Sequence, residues 1–115
     1  MRLTFDGGEA VVVLENNETV MDFLAMLCAT FTFEDYAGSE KISYLPRVLS
    51  TADAQDSYDP QIGDVTLYAP WGNLAIFYGE ADRSSGVVPM GYVETGIELL
   101  AAMDGDFSVS VTPIE

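Results

Sequence analysis

"GDVTLYAPWGNLAIFYGE", residues 63–80, is the stretch on which the fold turns. Its two β-rich runs, "DVTLYA" and "NLAIFYGE", are separated by Pro70-Trp71-Gly72-Asn73, a tetrapeptide suited to a tight turn, so the pair is expected to form a hairpin. In the second run Leu74, Ala75, Ile76, Phe77 and Tyr78 are apolar at odd and even positions alike. Successive side chains of a strand point to opposite faces, so this strand must be covered on both. The expected covers are a barrel interior, with Phe77 facing into it, and a packed helix. Trp71, in the turn, is expected to be exposed.

Working outward, "RLTF" and "EAVVVLE" flank Asp6-Gly7-Gly8, the pattern of a hairpin closed by an Asp-Gly turn. "NNETVMDFLAML" follows, with Asn16 or Asn17 placed to cap a helix over residues 18–28 and Val20, Phe23, Leu24, Leu27 and Cys28 at helical spacing. "TFTFED" alternates with Phe31 and Phe33 on one face, "DYAGSE" reads as a loop, and "KISYLP" is a short strand ended by Pro46. Residues 47–62 are polar and lack periodicity, which predicts a long surface connection and a rim for a site. "ADRSSGVVP" is read as a loop, "MGYVE" as a strand, residues 95–103 as a second helix ending near Gly105, and "FSVSVTPIE" as a half-exposed strand. About eight strands and two short helices predict a mainly β chain closed, or nearly closed, into a barrel, an open sandwich being the alternative.

At 115 residues the chain is expected to be one domain, 1–115, and its 49% apolar content is enough for a packed core. Its charge is lopsided, with 4 basic residues (Arg2, Lys41, Arg47, Arg83), 19 acidic residues and a net charge of −15. Such a surface repels phosphate backbones and anionic head groups, so neither nucleic acid nor a membrane is an expected partner. The sole cysteine, Cys28, is read as a small buried hydrophobe, and no internal disulfide can form. Without an apolar signal segment at the start or a run long enough to span a bilayer, the expected location is cytoplasmic.

The absence of histidine excludes Ser-His-Asp and Cys-His nucleophile activation and imidazole-dependent zinc sites. "RSSG" at 83–86 lacks the Gly-x-Ser-x-Gly pattern and its strand-to-helix context. Asp53, Asp56 and Asp59 recur at every third position, where a calcium loop needs ligands at alternate positions and a terminal Glu, so they read as a solvated acidic loop. Gly7-Gly8 has no following Lys and helix to cradle a phosphate. Neither a cofactor, a metal nor a set of catalytic residues is therefore expected.

"EKISYLP" at 40–46, residues 62–80, "GYVETGIELL" at 91–100 and the final strand resemble the bacterial and archaeal cyclophilin-like domain family, whose members share the cyclophilin-type barrel. The resemblance implies a closed eight-stranded barrel with two short helices and a groove on its outer wall. It does not carry prolyl isomerase activity, because the Phe-His-Arg type motif of true cyclophilins has no counterpart in a chain without histidine. The leading expectation is a non-catalytic module binding a peptide segment or small molecule at a site drawn from Trp71, Tyr78, Arg83, Tyr92, Tyr44 and Arg47. The aromatics would supply apolar contact and an arginine would orient a carbonyl or carboxylate. A divergent peptidyl-prolyl isomerase and a structural module acting through its acidic surface are the alternatives, and the oligomeric state is not assigned.

Because like charges crowd a small surface, added monovalent salt should raise the thermal midpoint by screening their repulsion. A midpoint that stays flat or falls between low and near-molar sodium chloride, followed by circular dichroism, would show that the acidity is already compensated.

Overall fold

The computed structural model describes residues 1–52 and 54–114. Eight antiparallel strands and two short helices follow one another as β1 (Arg2–Phe5), β2 (Gly8–Leu14), α1 (Glu18–Leu24), β3 (Ala29–Tyr36), β4 (Glu40–Tyr44), β5 (Asp64–Tyr68), β6 (Asn73–Phe77), β7 (Val87–Thr95), α2 (Ile97–Ala101) and β8 (Phe107–Thr112). The strands close in the order β1-β2-β7-β5-β6-β4-β3-β8, with β8 returning to β1, so the sheet has no free edge. The barrel is closed, and the sandwich alternative falls.

Alternation decides what fills it. Leu3, Phe5, Val12, Phe31, Phe33, Val65, Leu67, Leu74, Ile76, Met90, Val109 and Val111 all point inward and form one continuous core. The helices stop the two ends. Asn17 caps α1 by accepting the Val20 amide at 2.9 Å, and Phe23 of that helix stacks on Phe31 with ring centroids 5.7 Å apart. At the opposite end α2 buries Leu100, Met103 of the turn after it packs against the core, and Phe107 lies between Phe5 and Phe33 with ring centroids 6.0 and 6.1 Å away.

Both helices are shorter than expected. α1 ends at Leu24, so Cys28 lies in the link to β3 and is exposed, correcting its reading as a buried hydrophobe. The strand expected at Met90 begins at Val87 and contains Pro89. Proline is tolerated there because the β5–β7 register slips at that point: Thr66 pairs with Pro89 and Val65 with Gly91, leaving Met90 as the extra residue of a bulge.

β6 is buried at all five positions, as its composition demands, but its covers differ from those expected. Leu74 and Ile76 face the barrel interior, whereas Ala75 and Phe77 face outward and form a separate cluster with Ile42 and Ala81. The outer cover is loop rather than helix, since both helices are used at the barrel ends. The long connection after β4 is held in place by a short antiparallel ladder: Gln55 and Val87 bridge, as do Tyr58 and Ser84, with N–H···O distances of 2.8–2.9 Å.

One cation sits inside the barrel end. Lys41 is 2% exposed, and its Nζ donates to the Met103 carbonyl at 2.7 Å and lies 3.3 Å from Asp35 Oδ1. The ring centroids of Tyr78 and Phe107 lie 5.1 and 5.7 Å from it. A buried ammonium needs such partners, because its desolvation is otherwise not offset.

Gly96 joins β7 to α2 at a φ of +96°, and a Cβ there would stand 2.4 Å from the Glu9 carbonyl oxygen and 2.7 Å from Ala10 Cα. Both the backbone conformation and the space exclude a side chain. Gly96→Ala should therefore cost about 3 kcal/mol or more in a denaturant melt; a loss under about 1 kcal/mol would mean that this junction relaxes freely.

Candidate functional site

The outer wall over β4, β6 and β5 carries a cleft of about 190 Å³. Its lining includes Ile42, Ala75 and Phe77 from the outer apolar cluster, Thr66 and Tyr68 of β5, Asn73 of β6, and Val87 at the start of β7. Pro60 and Ser84, from the two laddered segments, form one rim. Tyr36, Trp71 and Glu40 complete it. A cavity this small accommodates one side chain or a comparably small group rather than a drug-sized molecule.

The aromatic wall has a defined geometry. Trp71, 48% exposed at the β5–β6 turn, stands edge-to-face against Tyr36 (centroids 5.6 Å, 82°) and Tyr68 (5.4 Å, 77°). These are the favoured quadrupolar arrangements, and they brace the indole beside the cleft.

The floor is polar and incompletely paired. Thr66 Oγ1 and Asn73 Oδ1, on residues only 1% and 2% exposed, find no hydrogen-bond partner among the described residues. Register places Thr66 opposite Ala75 and Tyr68 opposite Asn73, so the two are diagonal neighbours on the outer face of the β5–β6 pair. An unpaired buried polar atom costs about 1–3 kcal/mol, so two in one cleft are an exception calling for a cause.

Beyond Glu40 the cleft opens into a wider basin of about 900 Å³ whose lining includes Glu40, Asp59, Glu80 and Asp82. Burial pushes the Glu40 carboxyl above its usual range. Among the described residues no group of three or more acidic or cysteine side chains is arranged to hold a metal ion. Asp53 lies outside the described residues.

Of the residues expected at a site, Trp71 alone lines this cleft. Arg47 shares with Trp71 a second depression, beyond the turn, and donates to the Asp22 carbonyl at 2.7 Å. Arg83 lies outside the lining, pairing with Asp59 at 3.7 Å and donating to Ser57 Oγ at 3.2 Å. Tyr44 borders a shallow hollow over β3 and β4, and Tyr92 is exposed on β7 opposite Val13 and Asp64. Tyr78 turns to the barrel end, where its phenol donates to Asp35. Phe77, assigned to the interior, is instead a wall of the cleft.

Sequence reasoning passed over Tyr36, Glu40, Thr66, Tyr68 and Asn73. Thr66 carried a signal, a polar residue between the inward Val65 and Leu67 and hence on the outer face. Tyr36 was hidden by its place in a stretch read as loop, whereas β3 continues through it.

A closed eight-stranded antiparallel barrel with an outer-wall cleft defines the class. The profile of the cyclophilin-like family matches residues 3–112, and the chain belongs to that family. In fold it is similar to the hypothetical protein AF2241 from Archaeoglobus fulgidus, solved in solution, at a TM-score of 0.71 and 22% identity, covering 95% of this chain and 89% of that one. Among curated proteins, none matches the chain.

At the barrel end the Tyr78 phenol, followed by Lys41 and the Gly38 amide, holds the Asp35 carboxyl below its ordinary value. That carboxylate in turn pushes the phenol from 10.0 up to about 12. A depressed carboxyl contributes stability that is present above its unfolded value and lost as pH falls through the folded one. A raised phenol contributes stability that is present below its ordinary value and lost as pH rises toward about 12. Both groups are largely solvated, so the pair is worth less than about 1 kcal/mol. In Tyr78→Phe the Asp35 carboxyl should titrate at higher pH, as read by carboxyl carbon NMR; an unchanged titration would assign the depression to Lys41 and the Gly38 amide.

Proposed function

We propose that this cyclophilin-like barrel is a non-catalytic binding module whose ligand, a peptide segment or small molecule, occupies the outer-wall cleft beside Trp71. The observation that carries this reading is the pair of buried, unpartnered oxygens on the cleft floor, Thr66 Oγ1 and Asn73 Oδ1. Neither finds a partner among the described residues at a concave, partly aromatic surface, and a bound group would supply one. Half-exposed Trp71 adds apolar surface that a ligand can cover at little entropic cost.

Prolyl isomerisation would need a guanidinium directed into this cleft to polarise the prolyl amide. Both neighbouring arginines are engaged elsewhere, Arg47 on the Asp22 carbonyl and Arg83 on Ser57 and Asp59, which favours binding over catalysis.

Amide chemical-shift mapping with acetyl-Ala-Pro-Ala-amide and a mixed set of small fragments tests the reading. Perturbations should concentrate on Thr66, Tyr68, Trp71, Asn73, Ala75 and Phe77 for at least one probe. Shifts scattered over β1, β2 and β8, or none at any concentration reached, would sink it.

A further inference from the structure

The chemistry of the cleft selects among ligands, and this selection rests on the reading of the cleft as a binding site. Its unsatisfied atoms are two oxygens: Asn73 Oδ1 can only accept, and Thr66 Oγ1 can accept as well as donate. Its side is the aromatic trio Tyr36, Tyr68 and Trp71, whose ring faces carry negative potential. Its mouth is the Glu40 carboxylate, and beyond that lies a basin edged by Asp59, Glu80 and Asp82. Asp59 is paired with Arg83, while Glu40, Glu80 and Asp82 have no cation within salt-bridge distance among the described residues. Among the described residues, no basic side chain lines either the cleft or the basin. With a net charge of −15 behind it, the whole approach attracts cations and repels anions.

We propose that the cleft binds the protonated amino group of a primary alkylamine, its N–H groups donated to Thr66 Oγ1 and Asn73 Oδ1 and its alkyl stem laid along Phe77, Ala75 and Val87. Each part of the site then has a task. The floor oxygens gain charge-assisted hydrogen bonds, which are stronger than neutral ones. The rings of Trp71 and Tyr36 face a cation, and the apolar wall buries the stem. A volume of about 190 Å³ suits a stem of a few carbons. A carboxylate or phosphate would meet the Glu40 carboxylate with no basic side chain among the described lining residues to offset it, and a neutral carbonyl would leave Asn73 Oδ1 unpaired.

The test uses the fluorescence of Trp71, the single tryptophan of the chain. The protein is titrated at constant ionic strength with n-butylammonium, n-butyltrimethylammonium, 1-pentanol and butyrate. n-Butylammonium should bind about tenfold more tightly than 1-pentanol. The trimethyl compound, which has charge but no N–H, should fall between them, and butyrate should not bind. Thr66→Val, which removes the oxygen and keeps the shape, should weaken n-butylammonium about tenfold and 1-pentanol by less. Equal binding of 1-pentanol and n-butylammonium, or an indifferent Thr66→Val, would overturn the ammonium assignment while leaving a ligand cleft standing. Silence with every probe, in fluorescence and in amide shifts, would overturn both. Nα-acetyl-lysine N-methylamide separates two sources of the same group: tighter binding than n-butylammonium indicates a lysine side chain of a peptide, weaker binding a free amine.

Discussion

The outer face of β6 has to be kept from water on a barrel whose helices are committed elsewhere. Asn73, Ala75 and Phe77 point away from the interior and are nonetheless buried. α1 and α2 stop the barrel ends, so the cover must come from loops. That constraint accounts for the ladder joining residues 55 and 58 to residues 84–87, and for the position of Pro60 and Ser84 over the sheet. A loop cannot pack as continuously as a helix, because its own backbone groups need partners. The cleft is what the loop leaves uncovered, and Phe77, Trp71 and the two floor oxygens belong to it for that reason.

Charge is distributed as unevenly as burial. Of 4 basic residues, Lys41 is enclosed at the barrel end, and Arg2, Arg47 and Arg83 each engage a nearby acceptor. Lys41 serves the fold: it bonds the carbonyl of Met103 and so ties the turn after α2 to β4, while Asp35 and the rings of Tyr78 and Phe107 offset part of its desolvation. With that cation turned inward, the charged residues among the described lining of the basin beside the cleft are all acids. The same economy of cations that burdens the surface with repulsion gives the approach to the cleft a single sign.

Much of the barrel could be read along the chain, because its signals are local. The Asp-Gly hairpin, the Asn17 cap, the Phe31/Phe33 alternation and the doubly apolar β6 each depend on residues within a few positions of one another. Cys28 and the lengths of α1 and α2 were misread because helical spacing persists past the point where the chain must turn into β3 or β8. The candidate site was legible only at Trp71, marked by its place in a turn between two buried strands. Tyr44, Tyr78 and Tyr92 are near the same segments in sequence, yet closure of the barrel sends them away from the cleft, and Arg47 and Arg83 are held on Asp22 and Asp59 outside its lining.

By itself, then, the sequence determined where most of the strands lie, that β6 has two covered faces, and that the chain is strongly acidic. Periodicity and composition encode those properties one element at a time. Tertiary structure alone decided which face of β6 meets the core, because a one-residue change of register exchanges Ile76 for Phe77 and the linear pattern is apolar either way. It also decided that Thr66, Asn73, Glu40 and Tyr36, from four different strands, share one cleft. That meeting depends on the circular strand order β5-β6-β4-β3, which hydrogen bonds between distant segments establish and no local run of residues contains.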